Sequence, residues 1–122
     1  MGIYYNNTIY IIITVFNSEI IMTQQILVAF KNEIPEGKSK IVNVNGNSIA
    51  IFNIKGNFFA ISNVCAHQGG PVGEGETEGL IVTCPWHGWQ FALPSGMCVN
   101  FPGPKVDTYK VVIKEDKIFI EI

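Results

Sequence analysis

From residue 24 onward the apolar residues fall in short runs rich in Ile, Val and Phe. Polar turn residues interrupt the runs, a pattern of strands rather than helices. Ile26–Phe30, Ile41–Val44, Ser48–Ile54 and Phe58–Ser62 are the first four runs. Asn45-Gly46-Asn47 and Lys55-Gly56-Asn57 separate the last three and suit tight hairpins. Leu80–Thr83 and Trp89–Leu93 are predicted to pair around the loop between them, and Val111–Lys114 and Lys117–Glu121 to flank a turn at Glu115-Asp116. No stretch after residue 24 shows an amphipathic helical period. The expectation is an all-β domain of antiparallel strands, without internal repeats or a second domain.

Residues 1–21 stand apart. Glu19 is their sole charged residue, and Ile9–Phe16 is nearly continuous apolar sequence. A signal peptide needs a basic start and small residues at its cleavage site, and neither is present. A spanning helix needs about twenty apolar residues, but polar residues break this stretch on both sides. We read residues 1–21 as an N-terminal extension preceding a true start at Met22, so that the working domain is 22–122.

Composition narrows the function classes. The 122 residues suffice for one domain with a buried core. The net charge is −2, and all eight basic residues are Lys. A chain without Arg or a basic patch is poorly equipped to grip phosphates, which argues against nucleic acid as a partner.

The chemistry lies in Cys65-Ala66-His67 and Cys84-Pro85-Trp86-His87. Together they form the pattern Cys-x-His-x16-Cys-x-x-His, which takes up both histidines of the chain. Thiolate and imidazole are ligands for soft and borderline transition metals. Four of them can close one tetrahedral site or hold two adjacent irons in unlike pairs. Structural zinc is the competing occupant, but its ligands are usually paired like with like, as Cys-x2-4-Cys and His-x3-5-His. Here each loop holds one ligand of each kind.

The loops Cys65-Ala66-His67-Gln68-Gly69-Gly70-Pro71 and Cys84-Pro85-Trp86-His87-Gly88-Trp89-Gln90-Phe91 resemble those of Rieske [2Fe-2S] proteins, and the likeness extends in outline over residues 24–122. The resemblance implies that Cys65 and Cys84 bind the inner iron and His67 and His87 the outer one. It implies an antiparallel β-sandwich base carrying an inserted cluster-binding subdomain, here about residues 63–104. Gly69, Gly70 and Gly88 let backbone N–H groups approach the cluster sulfurs, while Pro71 and Pro85 stiffen the loops. The family's third, proline-bearing loop would be Phe101-Pro102-Gly103-Pro104.

Departures from the family pattern refine the expectation. Rieske proteins of quinol-oxidising complexes carry an additional disulfide-bonded Cys in each loop, where this chain has Gly70 and Trp86. They also carry Ser and Tyr hydroxyls that bond to sulfur, where this chain has Trp89 and Phe91. Fewer hydrogen bonds to sulfur stabilise the reduced state less. The expected potential is therefore roughly −150 mV rather than about +300 mV. After Phe91 the usual polar residue and Thr-Gly are replaced by Ala92-Leu93-Pro94-Ser95-Gly96, which preserves the turn.

Other residues carry weaker signals. Cys98 is expected to be a core thiol rather than a redox centre. Of Trp86 and Trp89, one is expected to shield the cluster and the other to lie partly exposed. Glu74, Glu76 and Glu78 read first as a solvated loop, and second as a patch steering a basic redox partner.

The resemblance implies a soluble, monomeric ferredoxin in the cytoplasm. With two cysteines committed as ligands, none of the three has a disulfide partner to spare, which agrees with a reducing compartment. Such a carrier would take one electron from a flavoprotein reductase or another low-potential donor and pass it to a terminal oxidoreductase such as an oxygenase. A Rieske small subunit of a larger enzyme, of the nitrite reductase kind, is the alternative. A self-contained Rieske oxygenase is excluded, because its catalytic iron needs two further histidines.

Overall fold

The computed structural model describes residues 9–66, 69–86 and 88–122; of Ile9 and Tyr10 it describes the backbone alone. Its strands are β1 (Ile9–Phe16), β2 (Glu19–Phe30), β3 (Ser39–Val44), β4 (Asn47–Ile54), β5 (Asn57–Ser62), β6 (Glu76–Glu78), β7 (Ile81–Thr83), β8 (Gln90–Ala92), β9 (Thr108–Lys114) and β10 (Lys117–Glu121). Helical structure among the described residues is limited to short 3₁₀ turns at Lys31–Glu33 and Val72–Glu74. The all-β expectation holds.

Local turn chemistry builds the β3–β4–β5 meander. Asn45 and Gly46 have φ of 51° and 83°, and Lys55 and Gly56 have 52° and 87°. Positive φ at both central residues is the hairpin geometry that matches strand twist. Asn43 and Asn53 each accept a bond from the turn glycine's N–H through Oδ1, at 3.1 and 2.8 Å.

The seven-stranded sheet runs β1-β2-β10-β9-β5-β4-β3. A short ladder joins its halves, with Ala60 facing Tyr109 and Ile61 facing Thr108. The sheet curls there until Ile26, Val28, Ile118 and Ile120 of one half pack with Ile49, Ile51 and Ala60 of the other. This is the sandwich base, and it holds the first core.

A second core lies on the opposite face of β4 and β5. Ala50, Phe52 and Ile61 meet Val72, Val82, Phe91, Leu93 and Val106 there, together with Cys65 and Cys84. Successive strand residues point to opposite faces, so β4 supplies Ile49 and Ile51 to one core and Ala50 and Phe52 to the other. Two-sided burial explains why this run is apolar without alternation. The segment between Ser62 and Thr108 lies above it and contains the small sheet β6-β7-β8.

Two segments differ from expectation. Glu76–Glu78 is a strand rather than a simple loop, because the edge of β7 offers it a ladder in which Thr77 faces Val82. Residues Ile9–Phe16 pair with Glu19–Ile26 through a turn at Asn17 and Ser18, both at positive φ. That hairpin leaves Ile11, Ile13, Val15, Phe16, Ile20, Ile21 and Met22 exposed, and burial on β2 begins at Gln25. Neither core draws on a described side chain before Ile26.

A chain beginning at Met22 is therefore expected to unfold cooperatively within about 4 °C of the full chain, a difference under about 1 kcal/mol. Thermal circular dichroism of both chains measures this. A much larger drop would give the first hairpin a structural role.

Candidate metal centre

Two loops rise from the second core, each closed at its base by backbone bonds. The first leaves β5, and Val64 bridges to Pro71 across it. Within it the Cys65 N–H donates to the Gly70 carbonyl at 2.9 Å, and the Gly69 N–H to the Cys65 carbonyl at 3.0 Å. The second joins β7 to β8, where the Cys84 N–H donates to the Trp89 carbonyl at 2.7 Å. Each cysteine thus stands where its loop leaves regular structure.

The two thiols meet. Cys65 and Cys84 are 3% and 1% exposed, and neither forms a disulfide. Burial pushes the Cys84 thiol above its ordinary value, a hydrogen bond from the backbone of Trp86 pulls it down, and the Cys65 thiol, hydrogen-bonded to it, raises it again. Buried, adjacent thiols with a backbone N–H aimed at one of them suit metal thiolates, since a cation would replace the protons that burial now favours. This donor pair fits an iron–sulfur site. His67 and His87, the other two predicted ligands, lie outside the described residues.

Gly70 sets the distance between the loops. A Cβ placed on it would lie 2.9 Å from Trp86 Cγ and 3.0 Å from Cys84 Sγ. The Trp86 indole therefore rests directly on the first loop's backbone. Trp86 remains 49% exposed, while Trp89 is half-buried against the second core and stacks on Phe101 with centroids 5.1 Å apart. Of the two indoles, Trp86 is the more exposed, and Trp89 is the one packed against the second core. The stack also brings the proline-bearing segment beside the second loop.

Polar braces that the sequence did not single out support this arrangement. Asn63 is buried at the base of the first loop, where its Oδ1 accepts the Gly73 N–H at 2.7 Å and its Nδ2 donates to Ser48 Oγ at 3.1 Å. Asn100 binds the second loop through the Gln90 N–H and the Gly88 carbonyl, both at 3.0 Å. An Asn in a turn-rich segment looks ordinary in a sequence, and nothing local to either residue marks its distant partner. Cys98, expected in the core, is half-buried against it, and its thiol donates to Asn100 Oδ1 at 3.3 Å.

Around the loops, Val64 and Phe101 are also half-exposed apolar residues. Glu74 and Glu76 border a groove of about 460 Å³ whose other wall includes Thr83, Cys84, Pro85 and Gly88. The acidic stretch therefore adjoins the second loop.

Comparison with known proteins agrees with this geometry. The family model described as Rieske [2Fe-2S] domain matches residues 24–110. The ferredoxin component of the naphthalene 1,2-dioxygenase/salicylate 5-hydroxylase systems of Ralstonia sp. is 33% identical over 103 residues, covering 83% of this chain and 99% of that protein. Among solved structures, the ferredoxin of carbazole 1,9a-dioxygenase from Nocardioides aromaticivorans IC177 superposes with a TM-score of 0.75 at 24% identity, over 79% of this chain and 95% of its own. The Sphingomonas yanoikuyae B1 ferredoxin does so with 0.74 at 25% identity, over 80% and 98%.

The Gly70 contact generates a test. Gly70→Ala is expected to cost about 1–3 kcal/mol through overpacking and to lower bound metal per chain. Gly79→Ala, at positive φ but with open space around it, should cost about 1 kcal/mol and keep its metal. Thermal melts and metal analysis of both variants check this; equal metal content would show that the loop spacing is not critical.

Proposed function

Because this chain belongs to the Rieske [2Fe-2S] domain family, we propose that it is a one-electron carrier that takes electrons from a low-potential donor, such as a flavoprotein reductase, and passes them to a terminal oxidoreductase such as an oxygenase. Its cofactor is a [2Fe-2S] cluster, whose chemistry is the gain and loss of one electron. Cys65 and Cys84 hold the inner iron, and His67 and His87 the outer one. The observation that carries this reading is the pair of buried, adjacent thiols at the bases of two loops, each with a histidine two or three residues further on.

The surroundings support a low potential. Phe91 is fully buried in the second core and Trp89 is stacked on Phe101, so no hydroxyl stands at either position to bond a sulfur. The half-exposed Trp86, Val64 and Phe101 give a redox partner an apolar surface beside the cluster. With both histidines used as ligands, catalysis belongs to the partner, as it does for a ferredoxin component of a dioxygenase system.

Among the described residues no helix is long and apolar enough to cross a membrane. We propose that it is a cytoplasmic monomer; its three free thiols support the reducing compartment. We also take residues 22–122 as the functional unit, supported by the exposure of the preceding hairpin.

EPR of the dithionite-reduced protein, purified without added metal, tests the assignment. The expected result is a rhombic signal with average g below the free-electron value and a midpoint potential of roughly −150 mV. A colourless, EPR-silent protein containing zinc would replace this reading with a structural metal domain. Replacing the outer-iron ligand in His87→Cys should lower the potential and change the visible spectrum. A wild-type spectrum and potential in that variant would remove His87 from the ligand set.

A further inference from the structure

We propose that Asn100 is a positioning residue for the second ligand loop, holding the backbone just after His87 in place; this rests on the ligand assignment above. The β7–β8 ladder ends where Thr83 faces Gln90, and beyond it the Cys84 N–H donates to the Trp89 carbonyl, the last backbone link across the loop among the described residues. On its other side β8 is joined to the segment 97–100. The Ala92 N–H donates to the Met97 carbonyl at 2.9 Å, and the Val99 N–H to the Gln90 carbonyl at 2.8 Å.

The Asn100 side chain extends that pairing by imitating a peptide group. Its Oδ1 accepts from the Gln90 N–H and its Nδ2 donates to the Gly88 carbonyl, both at 3.0 Å. Trp89, bracketed by these two bonds, is stacked on Phe101. Residues 100 and 101 thus grip 88–90 from a polar and an apolar side. A primary amide offers a donor and an acceptor side by side, as a peptide group does.

The Gln90 N–H, which can only donate, and the Gly88 carbonyl, which can only accept, fix which way the amide points. The Cys98 Sγ lies 3.3 Å from Asn100 Oδ1, as a donor. Oδ1 therefore receives two donors, an N–H and an S–H, while Nδ2 meets a carbonyl. Rotating the amide by half a turn would set N–H against N–H and carbonyl against carbonyl, and lose both of those bonds.

These bonds lie at the surface, where water competes with them, so they contribute little to global stability. Their effect is on geometry. Residues that orient metal ligands typically change metal retention by 10–100-fold when removed.

The test compares the cluster-loaded full chain with Asn100→Ala and Asn53→Ala. Asn53 makes a similar pair of bonds, to the Ile34 carbonyl at 2.7 Å and from the Gly56 N–H at 2.8 Å, but buried in the base. Asn100→Ala is expected to melt within a few degrees of wild type, yet to lose iron to a chelator roughly tenfold faster and to show shifted or broadened EPR lines. Asn53→Ala should melt lower while keeping wild-type EPR and, below its melting range, a wild-type rate of iron loss. If Asn100→Ala matches wild type in EPR lines, midpoint potential and iron loss, the inference is overturned. If the wild-type protein itself shows no rhombic signal, the ligand assignment fails and this inference with it.

Discussion

Strand β4 is buried on both faces from Ile49 to Asn53, and the position of the metal centre depends on that two-sided burial. Ile49 and Ile51 tie the strand into the base, while Ala50 and Phe52 form the floor under Cys65 and Cys84. Packed interiors resist deformation. The loops are thereby held by a strand that cannot move without opening both cores. Gly73 shows how close the fit is, since a Cβ there would lie 2.6 Å from Ile41 Cγ1 and 2.9 Å from Ala50 Cβ.

Above that floor the loops are joined without a covalent link. Gly70 admits the Trp86 indole, Asn63 secures the start of the first loop, and Asn100 with Phe101 secures the end of the second. The indole seated on Gly70 brings the two loops into direct contact. Phe91 and Trp89 supply carbon where hydroxyls would raise the potential. The absence of covalent bracing and the low expected potential both follow from substitutions within the same two loops.

The surroundings of the loops divide into an apolar and an acidic part. Trp86, Val64 and Phe101 offer hydrophobic area, and Glu74 and Glu76 border the groove beside Cys84. For a carrier that must bind and release its partners, modest apolar area combined with charge favours rapid, specific and short-lived encounters.

The metal chemistry was legible in the sequence because it resides in residue types and spacings: two Cys-plus-His pairs, each followed by glycine, limit the occupant before any fold is known. The β3–β4–β5 meander was legible too, since Asn-Gly and Lys-Gly between apolar runs dictate local turn geometry. What escaped was long-range. Glu76–Glu78 became a strand because β7 offered it an edge, Ile9–Phe16 found a partner on β2, and Asn63 and Asn100 found theirs ten and twelve residues away in chains of hydrogen bonds. The side-by-side placement of Cys65 and Cys84, and the seat of Trp86 on Gly70, likewise required the fold. Residue identity fixes which bonds a side chain can make, and only tertiary packing decides which partner is within reach.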